Sequence, residues 1–121
     1  MWDGSDFHGA KIALLLGDRI LIYQRDRFPG LPFPGHWDLP GGGREGGESP
    51  QDCALRETRE EFGLTLDPAT ICHQRSYTAT PGARPAWFLV APITESHLPM
   101  IRFGSEGARW DILPIAAYLA L

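Results

Sequence analysis

Apolar and polar residues alternate, cluster and pause along this chain in a way that predicts most of its elements. Residues 11–24, Lys-Ile-Ala-Leu-Leu-Leu-Gly-Asp-Arg-Ile-Leu-Ile-Tyr-Gln, form two apolar runs split by Gly17-Asp18. That pattern predicts two strands joined by a two-residue turn, the first apolar enough to be buried on both faces. Residues 28–37 hold three prolines and two glycines and predict an irregular loop. Trp37-Asp38-Leu39-Pro40 predicts a short strand running into Gly41-Gly42-Gly43. Further on, Ile71 to Thr78 and Ala86 to Ala91 predict two strands, joined by a turn-rich segment at 79–85. Residues 93–107 are mixed and predict a surface loop. Trp110 to Leu113 is expected as a last strand, followed by a short helix from Pro114 to Ala120.

Between these strands lies the one long helical pattern, predicted from about Pro50 to Phe62. Ser49 is a good N-cap, Pro50 suits the first helical position, and Asp52 places negative charge in the first turn. Gly63 can close the helix in a left-handed conformation. Ala54, Thr58 and Phe62 form an i, i+4, i+8 core stripe edged by Leu55. Glu57, Glu60 and Glu61, spaced i, i+3, i+4, are expected to emerge together. That acidic face is costly. The helix macrodipole disfavours anions at its C-terminal end by ~0.3–1 kcal/mol each. Two like charges about 4 Å apart repel by roughly 4 kcal/mol at an effective dielectric of 20. A solvated acidic face partly neutralised by Arg56 and Arg59 is the bland explanation, and a bound cation is the functional one.

The spacing Gly42-x5-Glu48-x7-Arg56-Glu57-Thr58-x-Glu60-Glu61-x-Gly63-Leu64 resembles the signature box of the Nudix hydrolase family, and Trp-Asp-Leu-Pro-Gly-Gly-Gly resembles the segment that precedes it. The departure is Thr58, where the family usually has an aliphatic residue; its hydroxyl needs a partner, such as the carbonyl one turn back. The resemblance implies hydrolysis of a nucleoside diphosphate linked to a further group, with Mg²⁺ or Mn²⁺ held by oxygen ligands. It implies Glu60 and Glu61 as direct metal ligands and Glu57 as a further ligand or the group that orients or deprotonates water. The Gly42 carbonyl is an additional ligand on this reading. Arg56 pairs with Glu48 or Glu57 to fix the carboxylates, and Gly63 closes the helix. Two residues outside the box enter by the same resemblance: Arg25 as a phosphate contact, against a surface pairing with Asp26, and Glu106 as a further metal ligand or base.

Composition changes little in this picture. At 121 residues the chain has room for one compact domain, 1–121. The net charge of −4, with no basic run, argues against binding a nucleic-acid polymer. No apolar run is long enough to span a membrane, and the N-terminus lacks a secretory pattern, so a cytoplasmic protein is expected. Cys53 and Cys72 make no disulfide or metal pattern. The expected partner is a small nucleotide, and the expected assembly a monomer or homodimer.

The family resemblance implies an α/β fold, an α/β/α sandwich with a mixed central sheet, the box helix on one side and the terminal helix on the other. The expected substrate is a (deoxy)nucleoside triphosphate or an oxidised nucleotide. The alternatives are an ADP-ribose or nucleotide-sugar pyrophosphatase, and a sensor of the same fold that binds without cleaving. Retention of every box glutamate weighs against the sensor.

Overall fold

Two apolar runs on either side of a tight turn pair most easily with each other, and this pairing starts the sheet. The computed structural model describes residues 2–27, 30, 35–104 and 107–121, and of Ala108 the backbone alone. β1 (Gly9–Leu16) and β2 (Arg19–Arg25) pair antiparallel beside their turn, at Leu15↔Ile20 and Leu16↔Arg19. Beyond that point the two strands part. β3 (Trp37–Asp38) pairs with the far end of β2, and β4 (Gly41–Gly43) pairs with the start of β1. Residues 37–43 therefore fill the wedge between the diverging strands. The glycine run Gly41–Gly43 is itself a strand, because β1 has an open edge there that its backbone can pair with.

The rest of the sheet builds outward from these strands. β5 (His73–Tyr77) and β6 (Ala86–Pro92) form the expected long hairpin, and β6 runs parallel to β1 from Ala10↔Trp87 to Leu15↔Pro92. β7 (Gly107–Pro114) lies antiparallel along β2, longer than its apolar residues alone suggest. The sheet is mixed, with one path in the order β3-β2-β1-β6-β5, β4 added on β1 and β7 on β2.

Side-chain alternation then decides which layer each residue joins. Ala10, Ile12, Leu14 and Leu16 of β1 face α1 (Pro50–Phe62), meeting Cys53, Ala54 and Phe62 in the larger core cluster. Ala13 of β1, with Ile20 and Ile22 of β2, faces the other way, toward Leu113, Ile115 and Tyr118. Those last two belong to α2 (Ile115–Leu119), so the two helices lie on opposite faces of the sheet. This is the α/β/α layering expected above.

The long helix has the expected bounds. Ser49 Oγ accepts from the Asp52 N–H at 3.1 Å, and Gly63 adopts φ 67°, ψ 15° at the C-terminal end. Thr58, fully buried, donates its hydroxyl to the Ala54 carbonyl at 2.8 Å, so the polar departure on the core stripe is satisfied. Phe62 is also fully buried, edge-on to Tyr23 with ring centroids 6.1 Å apart. Burial of such a ring stabilises by roughly 1.5–3 kcal/mol and anchors the helix end.

The segment expected as a surface loop does more than connect. It contains a 3₁₀ turn (Glu95–Met100) and then docks on the end of α1. The Arg102 N–H donates to the Phe62 carbonyl and the Gly104 N–H to the Glu61 carbonyl, each at 2.7 Å. These bonds satisfy helix-terminal carbonyls that no intrahelical donor reaches. Among the described residues no helix is long and apolar enough to cross a membrane, which says nothing of strands.

Candidate functional site

The wedge strand sets β4 directly against the carboxylate turns of α1, and glycine is what permits the approach. Gly41 has φ 140°, and a Cβ there would sit 2.1 Å from the Ala10 carbonyl oxygen and 2.7 Å from Lys11 Cα. A Cβ on Gly42 would sit 2.7 Å from Glu57 Oε1. The two positions differ in kind. Gly41→Ala is expected to disrupt the fold, since backbone must move. Gly42→Ala meets only the end of a side chain, so it should leave a folded protein with Glu57 displaced and turnover reduced. Melting curves beside a steady-state assay separate the two outcomes.

Arg56 is the hub of the charged cluster. Its Nε and Nη2 bind Glu48 at 2.8 and 3.1 Å, its Nη1 binds Glu57 at 3.0 Å and Glu60 at 3.1 Å, and Nη2 also donates to the Gly43 carbonyl at 2.9 Å. The expected choice between Glu48 and Glu57 is thus resolved as both at once, through the fork that only arginine provides. The Arg56 bond is the main reason that the Glu48 carboxyl lies below its usual pKa. Glu48 in turn accepts from the Glu45 N–H at 2.9 Å, which ties the glycine loop to the helix.

Of the three box carboxylates, Glu57 and Glu60 meet at Arg56 Nη1, and Glu61 differs in being buried. Glu60 is about half exposed (48%), and Glu57 (12%) is tucked beneath Gly42. Glu61 turns inward and is buried (3% exposed), accepting the Gly41 N–H at 2.8 Å and the Tyr23 hydroxyl. Burial, and then the nearby Glu57 charge, push the Glu61 carboxyl up to about 7, against the partial relief of Gly41, Lys11 and Tyr23. The same burial and the facing Glu61 raise the Tyr23 hydroxyl well above its ordinary value. Helical spacing places three Cα–Cβ bonds on one side of α1, but the partners offered by β4 and β2 redirect the carboxylates.

The register fixes where the Gly42 carbonyl points. Ile12 N–H donates to the Pro40 carbonyl at 2.9 Å and Arg44 N–H to the His8 carbonyl at 3.0 Å. Bonded pairs alternate along an antiparallel ladder, so Gly42, opposite Ala10, turns its own N–H and carbonyl toward β1. That carbonyl also takes the Cys53 thiol at 3.6 Å. The Gly42 carbonyl is therefore occupied on the sheet side, whereas the Gly41 N–H and the Gly43 carbonyl face the α1 side chains. Gly42 also gives clearance for Glu57. Cys53 is buried, and its thiol is pushed up to about 11 by that burial, so it is an inert packing group.

Other expected residues fall as follows. Arg25 ends β2 and pairs not with Asp26 but with Asp38, Nη1 to Oδ2 at 3.5 Å. Asp38 also takes Lys11 Nζ at 2.8 Å. Sequence reasoning missed Lys11, Asp38 and Tyr23, whose only signal was their position on strands flanking the glycine run. Glu106 lies outside the described residues.

Among the described residues no group of three or more His, Cys, Asp or Glu is gathered as a metal centre. The donor chemistry nonetheless fits a hard divalent cation: Glu57, Glu60 and Glu61 offer carboxylate oxygens beside a backbone carbonyl. The Arg56 guanidinium now stands between Glu57 and Glu60, where it supplies the positive charge those two require. A cavity of about 600 Å³ opens at the other end of α1 beside Trp2 and Ser49 and holds none of the three carboxylates. Proximity to the charged cluster, rather than size, marks the site.

The chain matches the family profile described as NUDIX domain over residues 6–118. The chain belongs to the NUDIX domain family. An RNA pyrophosphohydrolase of Gluconacetobacter diazotrophicus is 42% identical over 72 residues, covering 57% of this chain and 36% of that protein. A MutT/nudix family protein from Enterococcus faecalis superposes with a TM-score of 0.68 at 25% identity, over 93% of this chain and 45% of that one. A bifunctional NMN adenylyltransferase/ADP ribose pyrophosphatase from Francisella tularensis, complexed with AMP and a Mn ion, superposes at 0.74 with 19% identity, over 97% of this chain and 36% of that one. This NUDIX domain spans between 27% and 48% of the length of the curated relatives it matches.

Proposed function

We propose that this NUDIX domain hydrolyses the phosphoanhydride bond of a nucleoside diphosphate linked to a further group, with Mg²⁺ or Mn²⁺ as cofactor. The leading substrate is a (deoxy)nucleoside triphosphate, oxidised forms included. The observation that carries the reading is Arg56 holding Glu48, Glu57 and Glu60 in one network while β4 presses against it and Glu61 is buried beside Gly41. A helix that needs an internal cation to keep its acidic turns together has the chemistry to bind an external one.

The roles follow from environment. Glu57, Glu60 and Glu61 would hold the metal, Glu60 being the most free to turn because half of it is in solvent. When bound, a divalent ion neutralises charge spread over phosphoryl oxygens and acidifies a water. Arg56 is a positioning residue: with Glu48 and Gly43 it fixes where Glu57 points. Glu61, whose surroundings favour the protonated form near neutrality, is suited to hold a proton in the metal-free site. Arg25 and Lys11, both on Asp38, form a cationic edge suited to further phosphate oxygens. Glu106 completes the proposed set as an added carboxylate.

A second substrate reading has one support, the 42% identity to a protein named RNA pyrophosphohydrolase. The test is release of phosphate and pyrophosphate from a panel of nucleoside triphosphates, ADP-ribose, nucleotide sugars and a 5′-triphosphorylated oligonucleotide, with Mg²⁺, with Mn²⁺ and with a chelator. Metal-dependent product from a nucleoside triphosphate is expected. Product from none of the panel would overturn the hydrolase reading and leave the sensor.

A further inference from the structure

Alternation along β2 puts Leu21 and Tyr23 on the α1 face of the sheet, while Ile20 and Ile22 face α2. Tyr23 is buried, and its ring packs against three groups. Phe62, in the last turn of α1, meets it edge-on with centroids 6.1 Å apart, and Phe103 lies tilted against it at 6.3 Å. Gly107 of β7 is the third, since a Cβ there would sit 2.8 Å from Tyr23 Cδ2. Phe62 and Phe103 also pack on each other, 5.6 Å apart, so the ring of Tyr23 has little room to shift.

Phenylalanine would fill this place equally well, so the hydroxyl needs a reason of its own. It donates to Glu61, the buried carboxylate whose Oε1 also accepts the Gly41 N–H at 2.8 Å. The main chain of Glu61 is fixed as well, its carbonyl accepting the Gly104 N–H at 2.7 Å. Glu61 is thus held at its backbone by the 102–104 segment and at its carboxylate by β4 and β2. A polar pair sealed under apolar rings costs desolvation that two apolar side chains would not incur. What the pair supplies is direction: a donor on a ring that cannot shift leaves the carboxylate one place to be.

We propose that Tyr23 is a positioning residue which, through its hydroxyl bond to Glu61, sets the affinity of the metal site for Mg²⁺ and its preference for Mg²⁺ over Ca²⁺. The proposal rests on the metal reading above and adds a residue, outside the glutamate box, that tunes the site. Mg²⁺ demands near-ideal octahedral geometry, whereas Ca²⁺ accepts looser and more variable coordination. A ligand held at both ends suits the stricter ion. Released at one end, it still serves the tolerant one. Groups that hold a metal ligand from behind typically contribute about ten- to a hundredfold in metal affinity.

The test is metal binding, kept apart from turnover. Calorimetry would titrate MgCl₂ and CaCl₂ into chelator-treated wild type, Tyr23→Phe and Phe103→Leu, at pH 8 and at pH 9. Tyr23→Phe should fold, bind Mg²⁺ about tenfold more weakly, and lose less for Ca²⁺, so that the ratio of the two affinities falls. The loss should persist at pH 9, well above the Glu61 value of about 7, where protons no longer compete for the carboxylate. Phe103→Leu loosens the same rings but keeps the hydroxyl, so it should lower the melting temperature in chelator and leave Mg²⁺ affinity as in the wild type. Equal Mg²⁺ affinity for Tyr23→Phe and wild type overturns the proposal, as does equal loss for both ions, a loss that vanishes at pH 9, or equal weakening by Phe103→Leu. Failure of Tyr23→Phe to fold would make the hydroxyl a purely structural bond and overturn it too. No Mg²⁺ binding by the wild type is the distinct outcome that overturns the metal reading itself, and this proposal with it.

Discussion

Glu60→Gln is expected to fold as the wild type does and to lower turnover by about a hundredfold or more, equivalent to roughly 2.7 kcal/mol of lost transition-state stabilisation. The fold part follows from what Glu60 touches. Its side chain is half exposed and accepts from Arg56, which keeps Glu48, Glu57 and the Gly43 carbonyl when Glu60 is gone. An exposed i, i+4 pair is worth only about 0.3–0.5 kcal/mol. The catalytic part follows from charge: an amide keeps the shape but is a poor ligand for a hard cation. Arg56→Lys gives a contrasting pattern, because a single ammonium cannot bind three carboxylates and a carbonyl in one plane. It should lower both melting temperature and turnover. Near-normal turnover for Glu60→Gln, on a substrate that the wild type cleaves, would remove Glu60 from the site.

Much of this was readable from local chemistry. Ser49, Pro50 and Gly63 marked both ends of α1 because caps depend on a few neighbouring residues, and the Thr58 hydroxyl found the nearest free carbonyl for the same reason. The layering of two helices on opposite faces followed from family resemblance and agrees with the alternation along β1. What could not be read depended on parts distant in sequence. Glu61 turns inward because β4 brings the Gly41 N–H and β2 brings Tyr23, and no helical periodicity contains either. Gly41–Gly43 joined the sheet because β1 and β2 diverge, a property of two strands rather than of three glycines. The 102–104 segment lacks any pattern of its own, and only its contact with the end of α1 gives it a role. Arg25 chose Asp38 over the adjacent Asp26 because β3 lies beside β2.

The metal-free protein is expected to lose stability as pH rises from about 5 to 8, and Mg²⁺ is expected to restore it at the upper end. Glu61 sets the sign. Its folded carboxyl lies near 7, above the ordinary 4.5, so the native state binds the proton more tightly than the unfolded chain does. Stability from this group is fully present below about 4.5 and is lost as pH rises through 7. The size is on the order of 3 kcal/mol, at about 1.4 kcal/mol per pKa unit. Glu48 acts in the opposite sense, since its carboxyl is held below the ordinary value by Arg56; its contribution is lost only as pH falls below that range, so the two windows separate. The groups facing Glu61 are Glu57 on its own helix, Tyr23 on β2, and Lys11 on β1, and relief of the Glu57–Glu61 repulsion is what a divalent cation would provide. A ligand that binds only the native state stabilises it by mass action, so the Mg²⁺ gain should be larger at pH 8 than at pH 5, where a proton already occupies Glu61. Glu61→Gln should flatten the fall between pH 5 and 8 and remove most of the Mg²⁺ gain, whereas the four histidines, unchanged in that variant, would leave the slope intact if they were its source. Thermal melts at both pH values, with chelator and with saturating Mg²⁺, read all of this directly. A melting temperature indifferent to Mg²⁺ at pH 8 would mean that these carboxylates do not form a metal site.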